Sequence, residues 1–387
     1  MRIEDLRRAI EEKARSVGFD KVGFAPARIP ASQAHLDRWL ERGYQGEMRY
    51  MERAPERRTD ASRSLAETAT VVCCALNYYR GAPASAPPGS GIISSYAQGE
   101  DYHRVLERML EELAELIEAL ASVPTRIYVD TGPLLEKSYA VAAGLGWLGK
   151  HSSLLSRQGS SWFFLGEILV PLDLGSSSPA AIERNHCGSC TRCLAACPTG
   201  AIVEPYVVDS RLCISYLTIE LRGFVPRELR PLIGTRIYGC DDCQDVCPWN
   251  RFAVKSEVPA FLPREPLASL DLAGILRMSR DDFRNATRGT AIRRAGYAGL
   301  LRNAAIALGN ARDPRAIPAL VEALDHPEPL VRGHGAWAFA RIGDPDAIGP
   351  LESRLALETE PRVREEIEWA LAELSPMDPR PRPQAIS

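Results

Sequence analysis

Apolar side chains recur at Ile3, Leu6, Ile10, Ala14 and Val17, spacings of three and four that put one stripe along a helix over residues 3–17. The next segment, KVGFA from Lys21, is short, apolar and bounded by Gly18 and Pro26, which predicts a strand. Farther on, TVVCCALNYY (70–79) and TRIYVD (125–130) read as buried strands. Between them DYHRVLERMLEELAELIEAL (101–120) has the periodicity of an amphipathic helix. This alternation, through residue 175, predicts an α/β layer. Turn-formers interrupt it twice: GAPASAPPGSG (81–91) reads as a surface excursion and LGSSSPAA (174–181) as a domain boundary.

The C-terminal third repeats itself. VRGHGAWAFARIGDPDAIGPL begins about thirty residues after LRNAAIALGNARDPRAIPAL, and VREEIEWALAEL follows after about thirty more. Each unit opens on an aliphatic–Arg pair, and the first two share an Asp-Pro between apolar helices. This is the pattern of HEAT-like repeats, whose stacked helix pairs bury a continuous core and present an extended face to a partner. The expected layout is an α/β domain over 1–175, a cysteine domain over 176–262, helical repeats over 263–376 and a disordered tail over 377–387.

Composition narrows the setting. Of the 387 residues, 45% are apolar and 25% charged, as in an ordinary soluble protein, and a net charge of −3 means that an anionic partner must be met by a local basic patch. The charged N-terminus MRIEDLRRAIEEKARS lacks the apolar stretch of a secretory or twin-arginine signal. No run approaches the length of a membrane span. A reducing cytoplasm is the expected location, and there ten cysteines read as metal ligands before disulfides.

Eight of those ten are organised. HCGSCTRCLAACPTG (186–200) carries Cys187, Cys190, Cys193 and Cys197-Pro198 in CxxCxxCxxxCP spacing, in which three thiolates of one loop hold one [4Fe-4S] cube and the fourth turns toward a second. GCDDCQDVCPWN (239–250) carries Cys240, Cys243 and Cys247-Pro248, with Ile237 where the first cysteine would stand. The missing ligand must come from elsewhere, and Cys213 is the one cysteine between the packets. One cluster is therefore assigned to Cys187, Cys190, Cys193 and Cys247, the other to Cys197, Cys213, Cys240 and Cys243. Structural zinc is the competing reading of CxxC pairs, disfavoured by two Cys-Pro endings. Cys73 and Cys74, in an apolar strand, read as small buried hydrophobes.

CGSCTRCLAACPTGAI, CISYLTIELRG and YGCDDCQDVCPWNRFA, preceded by YVDTGPLLEKSYAVAAGLGWLGKHSSL and followed by the repeats, resemble the epoxyqueuosine reductases over nearly the whole chain. The resemblance implies an α+β multidomain protein: a nitroreductase-like α/β cobalamin domain, a bacterial ferredoxin-like domain with two [4Fe-4S] clusters, and HEAT-like repeats. It implies the last step of queuosine biosynthesis, reduction of epoxyqueuosine to queuosine at the wobble position of tRNAs with GUN anticodons, the Asp, Asn, His and Tyr types. The implied partners are the tRNA anticodon stem-loop and a low-potential electron donor such as a flavodoxin or ferredoxin system, and the implied assembly is a monomer. Asp130, at the end of RIYVD, becomes the proton donor above the corrin; from the residues alone, a helix cap is an equal reading. By the same matching Arg58, Tyr96, Ser153, Ser215, Asp241 and Asp242 are corrin or pocket contacts.

For RNA, residues 277–302 carry Arg277, Arg280, Arg284, Arg288, Arg293, Arg294 and Arg302, with Phe283 and Tyr297 interleaved. Guanidiniums so spaced suit phosphate contacts, which position an RNA without reading its bases, and a solvated charged face is the plainer alternative. Arg222, at the end of CISYLTIELR, joins this set. The target base itself is expected to leave the stack and enter the pocket. A cobalamin-dependent reductive dehalogenase is the competing enzyme, but it usually carries a twin-arginine signal and needs no HEAT-like repeats. A two-cluster electron carrier would leave the first 175 residues without a purpose.

Overall fold

The computed structural model describes residues 2–81, 89–157, 160–176, 185–265 and 271–375. Most of the expected excursion, most of the expected boundary and the whole tail lie outside these residues. Among the described residues no helix is long and apolar enough to cross a membrane.

Helix α1 (Ile3–Val17) buries Leu6, Ile10 and Ala14 and ends on Gly18, whose φ of 106° supplies the left-handed cap. Strands β1 (Lys21–Pro26) and β2 (Thr70–Asn77) follow, then helix α2 (Tyr102–Ala121), strand β3 (Arg126–Tyr128), helix α3 (Glu136–Ala142) and strand β4 (Phe163–Val170). The sheet runs β1-β2-β4-β3 and is antiparallel throughout. Both of its faces are covered, which is why β2 reads as an unbroken apolar run rather than an alternating one. Val72, Cys74 and Leu76 face α1 and α2. Val71, Cys73 and Ala75 face α3. Neighbouring Cys73 and Cys74 thus enter opposite cores, and burial pushes both thiols up, as inert packing groups require.

β4 is the strand that the sequence pattern does not single out, although it is central. It pairs with β2 from Thr70↔Val170 to Asn77↔Phe163, and with β3 from Arg126↔Leu169 to Tyr128↔Glu167. β3 stops at Tyr128, and the chain turns through Asp130 to Pro133 before α3. Gly132 is required there, because a Cβ would sit 2.4 Å from the Tyr128 ring.

Beyond the cysteine segment, which contains α4 (Ile214–Ile219), the repeats form α5 (Tyr297–Ala311), α6 (Ile317–Leu324), α7 (Pro329–Ile342), α8 (Ile348–Leu357) and α9 (Pro361–Leu374). α5, α7 and α9 stack side by side, with α6 and α8 packed on them. The repeated Asp-Pro is a capping device: Asp313 accepts from the N–H of Arg315 and Asp344 from that of Asp346, each starting a 3₁₀ turn with proline inside it. One continuous core joins Ile214, Leu217 and Val225 of the cysteine segment to Ile367 and Ala370 of the last helix. Buried Glu366 of α9 reinforces the join by receiving Arg230 at 2.8 Å and Arg227 at 3.0 Å.

Arg302 corrects an expectation. Instead of meeting RNA it is fully buried, and its guanidinium donates to the carbonyls of Leu217 (2.7 Å), Leu221 (2.9 Å) and Gly223 (2.8 Å). The interleaved aromatics are also committed: Phe283 is buried, and the Tyr297 hydroxyl donates to the Met278 carbonyl at 2.8 Å. Arg302→Met should leave those three carbonyls without donors and destabilise the protein by about 3 kcal/mol or more, at roughly 1 kcal/mol or above per orphaned group. Urea unfolding of parent and variant measures the difference.

Candidate active site and cluster ligands

Cys187, Cys190, Cys193 and Cys247 line one cavity of about 230 Å³, together with Lys150, His151 and Trp249. Cys197, Cys213, Cys240 and Cys243 form a second group. Burial pushes Cys243 up, and the charges of Cys213, Cys240 and Cys197 add to it. Burial likewise takes Cys240 up to about 12. Cys243 also senses Cys193, so the two groups adjoin. Among the described residues no three candidate ligands converge on a point that would hold a single ion; the four thiols of the first group surround a space instead.

Local backbone turns are aimed at the sulfurs. The Ala201 N–H donates to Cys197 Sγ at 3.2 Å. Cys213 immediately precedes α4, and the N–H groups of Ser215 and Tyr216 at the helix start favour its thiolate. Asp242 and Trp249 do the same for Cys240 and Cys247. Such donors favour the thiolate against the burial that disfavours it, and thiolates are what an iron–sulfur cube ligates. Both groups fit [4Fe-4S] clusters.

Asp130 stands at the edge of the sheet layer in the left-handed region, φ 55°, with its side chain 62% exposed. It is not a helix cap, since Leu135 precedes α3. Its own N–H donates to Glu136 Oε1. Its carboxylate meets two side chains that the sequence reading did not assign: His103, with Nε2 3.4 Å from Oδ2, and Tyr102. His103 Nδ1 lies 2.7 Å from Asp101 Oδ1, so the imidazole is held between two acids. Burial works against its charge, but the two carboxylates outweigh it and raise His103 to about 9. Burial would raise Asp130, yet the contacts of His103 and Tyr102 prevail and hold it below the usual carboxylate range. The fragment DYH carried a signal for this, an acid two residues before a histidine at a helix start, where Asp101 also caps α2.

Two predicted contacts, Tyr96 directly and Arg58 by way of Tyr50, belong to the surroundings of Asp130. Tyr96 lies within its electrostatic reach and packs against Tyr102 and Tyr238, at ring separations of 6.0 and 6.1 Å. Arg58 is 7% exposed; Nη2 donates to the Tyr50 carbonyl at 2.6 Å, while its buried Nε has no partner. Burial lowers it, with Tyr50 alone opposing. A buried cation with a spare donor suits a ligand rich in acceptor oxygens, and cobalamin offers amide carbonyls and a phosphate. The pocket residues therefore fit that group.

Other predicted contacts are engaged within the protein. Asp241 accepts from Ser94 Oγ and, at 2.7 Å, from the Ser95 N–H, tying the Tyr96 turn to the second cysteine packet. Asp242 is neutralised by Arg236 at 2.6 Å. Ser153 donates its N–H to His151 Nδ1 at 3.2 Å, and Ser215 directs its N–H at Cys213.

The arginine stretch divides in the same way. Arg277 pairs with Glu322, Arg280 with Glu328 and Arg284 with Asp281, all at the surface. Arg288 donates to Asn285 and Arg293 is exposed. Arg294 pairs with Glu220 at 2.9 Å, lies over the Tyr50 ring at 5.8 Å, and is within electrostatic reach of Asp130. Arg222 donates to the carbonyls of Ala295 and Arg294. Of this set, Arg294 is the cation that lies within electrostatic reach of Asp130, and Arg222 is bound to the Arg294 carbonyl.

Comparison with known proteins agrees with this geometry part by part. The family described as epoxyqueuosine reductase QueG, DUF1730, matches residues 58–131, the 4Fe-4S double cluster binding domain matches 186–250, and HEAT repeats match 280–372. The epoxyqueuosine reductase of Pseudomonas aeruginosa is 44% identical over 348 residues, covering 88% of this chain and 95% of its own. That of Escherichia coli is 43% identical over 344 residues, covering 88% and 90%. A crystal structure of an epoxyqueuosine reductase with an epoxyqueuosine-modified tRNA-Tyr stem loop superposes with a TM-score of 0.91 at 33% identity, over 97% of this chain and 100% of that one. The Bacillus subtilis enzyme, with its catalytic aspartate loop swung out of the active site, gives 0.90 at 32% identity, over 97% and 100%. Cobalamin and two [4Fe-4S] clusters are accordingly the cofactors of this chain. Sequence identity above two-fifths, sustained across seven-eighths of its length, shows that the chain belongs to the epoxyqueuosine reductase family.

Proposed function

We propose that this enzyme reduces epoxyqueuosine to queuosine in the anticodon stem-loop of tRNA, with Asp130 delivering the proton that lets the epoxide oxygen leave. The observation that carries the reading is the exposed Asp130 carboxylate backed by the His103 imidazole, which lies between two acids. Bound cobalamin, supplied with electrons through the two clusters, provides the reducing power that opens the epoxide. The protein's own part is acid–base. Asp130 alone would be ionised at neutral pH, whereas His103 retains its proton to about 9, so the pair presents a charged donor beside the reacting oxygen. Tyr102 fixes the carboxylate from the other side.

Cluster wiring is part of the proposal: Cys187, Cys190, Cys193 and Cys247 hold one cluster, and Cys197, Cys213, Cys240 and Cys243 the other. Each packet then lends its Cys-Pro cysteine to the other's cluster. The three-part division at 175 and 262 is retained as a division of labour. Arg222, Arg280, Arg284, Arg293 and Arg294 are proposed to receive phosphates along the flank of the repeats. The reductase solved with a modified tRNA stem loop supports RNA as the partner. Arg294 is within electrostatic reach of Asp130, so it guides the loop whose base must be turned inward.

Three outcomes follow. Cys213→Ala should lower iron from about eight per chain to about four or five while one cluster's electron-paramagnetic signal persists; unchanged iron with both signals intact rejects the wiring. Asp130→Asn should retain both clusters and the corrin, yet slow single-turnover reduction of a modified stem-loop by about 10²- to 10⁴-fold. Turnover at the parent rate, with chemistry rate-limiting, would remove Asp130 from the mechanism. Finally, the imidazole of His103 should titrate near 9 by NMR and return toward the ordinary histidine range in Asp101→Asn, because one of the carboxylates favouring its charge is gone.

A further inference from the structure

Beneath Asp130 lies a pair of acids that this mechanism leaves unused. Glu167 stands in the middle of β4, fully buried, and neither of its carboxyl oxygens meets a hydrogen-bond donor. Its carboxyl group is within hydrogen-bonding reach of Glu136 at the start of α3. Glu136 in turn accepts the N–H of Asp130. Two carboxylates offer each other only acceptors, so a contact between them requires a proton on one.

The surroundings supply no substitute for that proton. Cys73 lies across from Glu167 on β2 and Tyr128 across from it on β3. Tyr139 of α3 lies in the same core, Cys74 of β2 and Tyr102 of α2 are within electrostatic reach from the other face, and none is a cation. Asp130 adds negative charge, and Lys137, a cation within electrostatic reach of Glu136, is exposed to solvent. An acid pair with one member, Glu167, fully buried holds a proton at neutral pH in preference to two charges.

We propose that Glu136 and Glu167 share one proton and store it for Asp130, so that the pair recharges the donor within a turnover. The stoichiometry calls for such a store. Converting the epoxide to an alkene breaks two C–O bonds, forms the C=C bond and releases the oxygen as water, consuming two electrons and two protons. The electrons arrive through the clusters. His103 and Asp130 deliver the first proton, and Glu136, in contact with the Asp130 turn, replaces it for the second. Burial, with the charge of Asp130, takes Glu136 up to about 8, and burial raises Glu167 well above the carboxylate range, so the store is filled at neutral pH and empties as pH rises. The inference rests on Asp130 as donor.

Infrared spectroscopy of the holoenzyme at neutral pH tests it without turnover. We expect a deuterium-sensitive band of a protonated carboxyl group that survives in Asp130→Asn and disappears in Glu167→Gln, an almost isosteric change. Glu136→Gln, which keeps an acceptor for the Asp130 N–H, should abolish the band too. The pair has a thermodynamic signature as well. Folded protein keeps a proton that unfolded glutamates release, so stability should fall as pH rises from the ordinary glutamate range to about 8, and Glu167→Gln should flatten that slope. Single-turnover rate in Glu167→Gln should fall about tenfold or more with stem-loop affinity unchanged. Absence of the band in the parent overturns the proposal whatever the variants do, as does its survival in Glu167→Gln. Either result leaves Asp130 untouched as donor, which the Asp130→Asn rate decides separately.

Discussion

Arg302 and its neighbour Asn303 hold the second thiol group in place. The arginine enters from α5 and binds the carbonyls that end α4 and follow it, where helix carbonyls have no partners of their own and favour a cation. Asn303 binds the carbonyls of Thr218 and Ile237, at 2.8 Å each. Thr218 and Ile237 lie on the segments that carry Cys213 and Cys240. Two adjacent side chains of a repeat helix therefore set the spacing between a thiol at one end of α4 and another just beyond a short strand. Burial lowers the Arg302 pKa to about 10, still far above neutrality, so the charge persists where it is needed. The repeats are as much the scaffold of the cysteine segment as the surface proposed for RNA.

A comparable logic governs the pocket. The acids there are arranged by how strongly each holds a proton: Asp130 weakly, His103 and the Glu136–Glu167 pair more firmly. The order follows from neighbours. Asp130 faces a histidinium and a phenol, His103 faces two carboxylates, and the glutamates face each other in a core without a buried cation. An exposed carboxylate that holds its proton loosely, in front of groups that keep theirs at neutral pH, is suited to a reaction that takes up protons in succession, because each transfer leaves the front group ready to be refilled. The left-handed conformation at Asp130 and the glycine two residues on keep this carboxylate on a turn rather than on a strand.

What the sequence revealed depended on whether a feature was local. Helices α1 and α2, strand β1 and the repeats follow from spacing, and the cysteine packets from chemistry that tolerates few alternatives. β4 escaped because its glycine and glutamate, Gly166 and Glu167, break an apolar run for reasons visible only in three dimensions: Gly166 makes room for Leu110, and Glu167 meets Glu136. Arg302 was misread for a related reason. An arginine among arginines looks like a basic face, yet helical periodicity turns this one inward while Arg293 and Arg294 remain outside. His103 was legible only in part, since Asp101 is two residues away but Asp130 is twenty-seven residues farther along the chain.

The central claim is that the carboxyl group of Asp130 addresses the epoxide oxygen with His103 behind it. A structure of this holoenzyme with cobalamin, both clusters and an epoxyqueuosine-containing stem-loop tests that most directly. The account predicts an Asp130 carboxyl oxygen within about 2.6–3.2 Å of the epoxide oxygen, and the imidazole of His103 still in contact with the same carboxyl group. An ordered substrate whose epoxide is met by a different acid, with Asp130 turned away or beyond hydrogen-bonding reach, would contradict it.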